Sequence, residues 1–378
     1  MGIRFGFVGT FPPTHCGIAT FSRSLMNAIE KLDSHQTSVV RLVDTHDDSI
    51  PIENNPKIVS TLTAGDPESI TRSIEAINSM DVAVIQHEFG IYGGPDGNEI
   101  LTLLRHIKVP TIVVLHTVPA GPTWHQSVVL TEVCSRASAV VTMTTVARDR
   151  VISKYSGDAN KVFIIPHGAS SSLKIRPRKL SGLPLILTWG LIGPGKGIEW
   201  AIEAMDQLRD MNPSPHYVVA GRTHPKVLMR EGESYREKLQ KRIDELGLVD
   251  AIDLRAEYLS DTDLAGLLSA TSIVLLPYDS IEQVTSGVLI EAVTAQRPVV
   301  ATRFPHAEEL LAQGVGILVP QADPDALAQA IRRILENPEL ALEMSRKANI
   351  IASKLLWSSV ATGYVRLAKT LMRAQAVA

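Results

Sequence analysis

Short runs of β-branched and aliphatic residues recur along this chain, each separated from the next by a stretch with helical periodicity. Parallel strands joined by crossover helices require that alternation, because the chain must travel back along the sheet before the next strand can start. In the first half the runs are Ile3–Val8, Ser38–Val43, Val82–Gln86, Thr111–Leu115, Ala139–Thr142 and Val162–Ile165. They are almost wholly apolar, as strands covered on both faces are. A polar, basic stretch, Lys174–Leu180, then interrupts the pattern, and a second series opens at Leu185–Leu187. It continues through Tyr217–Ala220, Ile252–Leu254, Ile273–Leu276, Val299–Ala301 and Gly316–Val319. The expected fold class is α/β: two Rossmann-like, doubly wound domains, residues 1–178 and 179–357, facing a central cleft. The 378 residues fit that count at roughly 150 per domain. After Pro338 the pattern is helical, and a last helix at about 358–378 is expected to pack back on the first domain rather than touch a membrane.

Composition removes several function classes. Hydrophobic residues are 45% and charged residues 20% of the chain, enough to bury a core throughout. A formal net charge of -3 offers no general attraction to nucleic acid, so no nucleic-acid partner is expected. Cys16 and Cys134 form neither a metal-ligand pair nor a disulfide framework and are expected to be buried thiols in a reducing cytoplasm. No bound metal is expected. Met1 runs directly into the first strand pattern without the features of a signal peptide, and no apolar stretch approaches about 18 residues. A cytoplasmic location is expected, with peripheral contact at the inner face of a membrane left open; oligomeric state is unspecified.

In open α/β sheets ligands bind beyond the carboxyl ends of the strands, so the loops that follow strands carry the chemistry. The first such loop runs from Gly9 to Gly17 ahead of a helix expected near Ala19, and it lacks the GxGxxG of dinucleotide binding. Gly17 can offer amides to a phosphate or sugar. After the third run stand His87 and Glu88, and after the fourth His116, polar residues at strand ends that face a ligand crevice or else are satisfied core-edge groups. The second domain opens on Trp189-Gly190-Leu191-Ile192-Gly193-Pro194-Gly195-Lys196-Gly197, a glycine-rich turn with one lysine at a helix start. Its amides and ammonium suit a diphosphate, but Gly197 in place of Ser or Thr excludes a P-loop. Finally, in Pro277 through Ala292, Thr285 or Ser286 caps a helix whose amides at Gly287 and Val288 would receive phosphate, and Glu291 on its second turn can accept from a ribose diol.

Together these loops resemble the large retaining glycosyltransferase family 4 (group 1) of the GT-B fold, which includes sucrose synthase and bacterial mannosyltransferases acting on phosphatidylinositol. The matching segments are Lys196-Gly197, Gln283 through Glu291-Ala292 at the position of a Glu-x7-Glu signature, Pro298-Val299-Val300, and Ile165-Pro166-His167-Gly168. The resemblance implies a hexosyltransferase that moves mannose or glucose from a nucleotide diphosphate sugar to a carbohydrate, polyol or lipid-linked hydroxyl acceptor. No cofactor or metal is implied. It implies that Lys196 stabilises the leaving diphosphate, Glu291 holds the ribose, and Gly287, Val288 and Leu289 supply amides. His116 would contact the transferred sugar, Gln283 would stand near its anomeric carbon, and Gly17 and Gly190 would line the donor loops, with His87 and Glu88 on the acceptor side.

Three positions depart from the family pattern. Leu191 stands where an arginine follows the glycine, and Arg222 after the next strand run is the expected replacement cation. Cys16-Gly17 replaces a Gly-Gly pair, and Gln283 replaces the first glutamate. Glutamine keeps a carbonyl acceptor but loses the negative charge. The donor stays open between GDP-mannose and UDP-glucose, with base selection expected near Arg255–Tyr258. The alternatives are a glycoside phosphorylase of the same fold, and an inactive sugar- or nucleotide-binding relative.

Overall fold

A computed structural model describes residues 2–14, 16–43, 55–171, 183–257, 259–280 and 282–377. They form two compact units, Met1–Gly168 with Trp357–Ala378, and Ala169–Leu356. The expected linker Lys174–Leu180 lies outside the described residues, as does Tyr258.

The first unit runs β1 (Arg4–Gly9), α1 (Gly17–Glu30), β2 (Gln36–Val43), β3 (Ile58–Thr63), α2 (Pro67–Asn78), β4 (Val82–His87), α3 (Ile100–His106), β5 (Thr111–Leu115), α4 (Trp124–Arg136), β6 (Ala139–Thr142), α5 (Thr145–Lys154) and β7 (Val162–Ile164). Its sheet is wholly parallel in the order β3-β2-β1-β4-β5-β6-β7. Phe5 and Phe7 on β1, Val84 on β4 and Val114 on β5 are fully buried, which explains why these runs are apolar without alternation. Local chemistry sets the helix starts: Asp66 caps α2 with Pro67 in the first turn, and Thr123 forms a reciprocal capping box with Gln126 on α4. Edge strand β3 stands outside the expected apolar runs, because only its Leu62 is fully buried and polar Ser60, Thr61 and Thr63 break the pattern.

The second unit follows with β8 (Leu185–Trp189), α6 (Ile198–Asp206), β9 (His216–Ala220), α7 (Pro225–Glu231), α8 (Ser234–Glu245), β10 (Ile252–Arg255), α9 (Asp261–Ala270), β11 (Thr271–Leu276), α10 (Gly287–Thr294), β12 (Val299–Thr302), α11 (Pro305–Leu311), β13 (Gly316–Val319), α12 (Pro324–Leu335) and α13 (Pro338–Ala352). Its parallel order, β10-β9-β8-β11-β12-β13, repeats the doubly wound pattern. The last helix, α14 (Trp357–Val377), belongs to the first unit, where Val360, Ala361, Tyr364 and Ala368 are buried against Phe21, Leu25 and Met26. Its apolar stripe is therefore spent on packing. Among the described residues no helix is long and apolar enough to cross a membrane.

In each sheet the order reverses once, between β1 and β4 and between β8 and β11. Those two switch points are where crossovers leave in opposite directions and open a crevice at the carboxyl ends. Four of the five loops singled out in the sequence leave these four strands, and the fifth, with His116, leaves β5, the neighbour of β4.

Candidate active site

The second unit gathers three loops tied by backbone hydrogen bonds. Gly190 N–H donates to the Ala220 carbonyl at 3.0 Å, Ile192 N–H to Arg222 O at 2.8 Å, and His224 N–H back to Ile192 O at 2.8 Å, locking the loops after β8 and β9 together. Asp279 N–H donates to Gly195 O at 3.3 Å and joins the loop after β11. Two glycines make this possible. At Gly197, with φ 61°, a Cβ would stand 1.9 Å from Pro277 O; at Gly221, with φ 153°, it would stand 1.7 Å from Gly190 O.

Lys196 rises from this turn half-buried, its Nζ 4.2 Å from the centroid of the Tyr278 ring. Tyr278 is itself buried and stacked on Phe304, with centroids 5.0 Å apart, so the ammonium rests on a rigid aromatic floor. Burial first, then Lys226, Lys196 and Arg230, lower the His224 pKa, a sign of the positive field at this loop. Arg222 is exposed beside it.

Opposite lies the start of α10. Ser286, not Thr285, is its cap, and Ser286 N–H in turn donates to His306 Nδ1 at 2.8 Å. The Ser286 hydroxyl accepts Leu289 N–H at 3.2 Å, which corrects the expectation that Leu289 offers its amide to a ligand. The N–H groups of Gly287 and Val288 open the helix with no acceptor among the described residues. Gln283 turns its amide inward, donating to the Thr285 carbonyl. Glu291 accepts from Trp189 Nε1 at 3.0 Å. The structure thus brings Gly190, Lys196, Ser286, Gly287, Val288 and Glu291 to one switch point. Trp189, Tyr278 and His306, which hold these groups in place, were missed; an aromatic closing a strand and one following Leu276-Pro277 were the available signals.

In the first unit α1 begins at Gly17, two residues earlier than expected, because Cys16 is its cap: Sγ accepts Ala19 N–H at 3.4 Å and lies 3.1 Å from Thr10 Oγ1. Cys16 is consequently half-buried rather than enclosed, while Cys134 is buried. His116 follows β5 and binds Gln86 Oε1 through Nε2 at 2.8 Å, with Phe21 edge-on at 5.0 Å. Phe21 also meets His167 at 5.1 Å and Trp357 at 5.0 Å, so four rings gather at the switch point. Glu88 accepts from the Thr117 hydroxyl. His87, expected on the acceptor side, is only 1% exposed; its imidazole is enclosed and its carbonyl accepts His116 N–H at 3.1 Å.

Burial lowers three of these histidines: His87 to about 4, His116 to about 3 with further contributions from His167 and His87, and His167 to about 4. All three are neutral at pH 7, so His116 serves as a hydrogen-bonding group and not as a cationic acid. Because the folded values lie below the ordinary 6.5, the unfolded chain takes up protons first as pH falls from about 6.5 towards 4, and stability is lost across that window. The enclosed His87 alone accounts for about 2 kcal/mol by pH 5, at roughly 1.4 kcal/mol per unit. Thermal unfolding between pH 7.5 and 5 is expected to show a Tm that falls steadily below pH 6.5, and less steeply in His87→Phe; equal slopes for both chains would refute this assignment.

Two parallel doubly wound sheets carrying these loops define the class: the chain has the GT-B fold. Residues 172–350 match the family model for glycosyl transferases group 1. Among curated proteins the chain is 29% identical to the alpha-D-kanosaminyltransferase of Streptomyces kanamyceticus over 225 residues, 56% of this chain and 55% of that one. It is 27% identical to the D-inositol 3-phosphate glycosyltransferase of Streptomyces avermitilis over 248 residues, 61% and 51% of the two chains. The chain spans about half the length of the curated relatives it matches. Among solved structures it is similar to Anabaena HepE in complex with UDP, with TM-score 0.77 and 17% identity over 97% of this chain and 100% of that one. Sucrose-phosphate synthase from Thermosynechococcus elongatus gives TM-score 0.78 and 19% identity over 98% and 100%.

Proposed function

We propose that this protein is a retaining hexosyltransferase that transfers a hexose from a nucleotide diphosphate sugar to a hydroxyl acceptor without a metal. The observation that carries this reading is the convergence, at one switch point, of Lys196 on its aromatic floor, the open amides of Gly287 and Val288, and the Glu291 carboxylate. A cation, a helix N-terminus and an oriented carboxylate are the three features that a nucleoside diphosphate asks for: charge for the phosphates and an acceptor for the ribose hydroxyls. The group 1 match and the UDP complex of the structurally similar HepE support the same reading.

In the proposed reaction the bond from the anomeric carbon to the diphosphate oxygen breaks as the acceptor hydroxyl attacks from the same face. Lys196 and the α10 amides stabilise the negative charge that grows on the leaving diphosphate, which in turn accepts the acceptor's proton. With Lys196 as the counter-charge, no metal is needed to bridge the phosphates. Exposed Arg222 adds a second cation where Leu191 supplies none. Neutral His116 contacts the sugar, Gln283 stands near its reacting carbon, Gly17 and Gly190 line the donor loops, and Glu88, over enclosed His87, faces the acceptor. Mannose or glucose is the proposed sugar, and a carbohydrate, polyol or lipid-linked alcohol the acceptor, with the protein in the cytoplasm or at the inner face of a membrane.

A thermal-shift series with UDP, GDP, ADP and their glucose and mannose conjugates, with chelator present, tests this reading. Native-state binding raises stability by about 2.7 kcal/mol at a hundredfold excess over Kd, so one base is expected to raise Tm by several degrees. No shift with any nucleotide, alongside a shift with inorganic phosphate, would replace this proposal with a phosphorylase.

A further inference from the structure

Trp189 closes β8 with its indole in the core of the second unit, 5% exposed, and its Nε1 lies 3.0 Å from Glu291 Oε2. An indole nitrogen is a donor only, so the direction of this bond does not depend on a tautomer or an amide orientation. The bond ties the last residue of β8 to the second turn of α10, the two elements that flank the switch point. Their approach is close: a Cβ on Gly190 would lie 3.5 Å from Val288 Cγ2. A glutamate on a helix otherwise samples many rotamers, and each must be given up when it binds a ligand. A buried, inflexible donor removes that freedom beforehand, and a hydrogen bond to a carboxylate is among the stronger kind.

We infer that Trp189 is a specificity-determining positioning residue: its indole N–H holds the Glu291 carboxylate in the orientation that receives a ribose cis-diol, so that the site selects ribonucleoside over 2′-deoxyribonucleoside diphosphates. The inference rests on the proposed role of Glu291 as the ribose ligand. It adds a residue that does not touch the nucleotide and acts through the one that does. A carboxylate free to rotate would still attract hydroxyl groups, but it would not distinguish a diol from a single hydroxyl as sharply.

The test is calorimetric titration of the full chain with UDP, GDP and ADP and with their 2′-deoxy counterparts, for the native sequence, Trp189→Phe and Glu291→Ala. For the base that binds, the native chain is expected to prefer the ribo form about tenfold or more, the effect of one well-placed hydrogen bond to a charged group. Trp189→Phe should bring that ratio close to parity while the affinity for the 2′-deoxy form stays within about twofold. A folded Trp189→Phe chain that keeps the native ratio, while Glu291→Ala loses it, overturns the role of Trp189 alone. If Glu291→Ala keeps the ratio, or no nucleotide binds, the ribose reading beneath the inference falls. Because Trp189 is buried, the hydrogen bond is also read without replacing it: with isotope-labelled tryptophan, one of the four indole N–H resonances should move in Glu291→Ala. Four unmoved resonances would overturn the inference whatever the fate of Trp189→Phe.

Discussion

Lys196→Ala is expected to lower kcat on the nucleotide sugar by about 10²- to 10³-fold with little change in Tm. Among the described residues the ammonium is the side-chain cation seated on the floor of the proposed diphosphate site, and its stabilisation is worth most when charge grows on the leaving group. Its loss should therefore appear chiefly in kcat rather than in KM. The protein should stay folded, because Lys196 is half-buried on a loop and its ammonium rests on the face of the Tyr278 ring. Lys196→Arg should recover part of the rate, since guanidinium also rests on an aromatic face but is broader and more weakly hydrated than an ammonium. Steady-state kinetics on the three chains decide the matter. An alanine variant within threefold of the native kcat would remove Lys196 from the chemistry.

The second large effect is on stability. Gly221→Ala is expected to destabilise the second unit by at least roughly 3 kcal/mol, because φ of 153° is strained for any side chain and the new Cβ would stand 1.7 Å from the Gly190 carbonyl oxygen. The obstacle is backbone, which cannot rotate aside as a side chain would. Relief requires the loop after β8 to move, so donor binding should weaken along with Tm. For a unit of this size roughly 3 kcal/mol corresponds to a fall of about 6–12 °C. Gly266 on α9 provides the contrast: it is exposed, its φ lies outside the left-handed region, and a Cβ there would meet nothing within 4 Å. Gly266→Ala should gain about 0.5–1 kcal/mol through helix propensity. Scanning calorimetry that finds Gly221→Ala as stable as the native chain would show that the two loops are not clamped as described.

Much of this could be read from the amino-acid order because burial on both faces leaves a direct mark. Thr111–Leu115, Ala139–Thr142 and Gly316–Val319 coincide with β5, β6 and β13, and the other runs differ from their strands by a few residues at the ends. Helix starts were also local, since Asp, Ser or Thr before a first turn caps its own amides. β3 escaped because an edge strand mixes polar and apolar residues. The cap at Cys16 escaped because a thiol is an uncommon cap, and its half-buried state depends on Thr10 across the loop.

The order of residues alone shows that the chain alternates strand and helix, that two such series exist, and that Lys196, Gly287 and Val288 stand at a loop and a helix start, with Glu291 one turn further on. Those are properties of neighbours along the chain, and periodicity and spacing report them. It takes the folded chain to show that Trp189 meets Glu291, that Tyr278 supports Lys196, that Ser286 takes the Leu289 amide while His306 receives its own, and that His87 is enclosed. Trp189 and Glu291 are 102 positions apart, and their hydrogen bond exists because parallel pairing sets β8 beside β11 and α10 leaves from that side. Long-range pairing of this kind depends on strand order and on which side each crossover takes, and neither is written in the local pattern of residues.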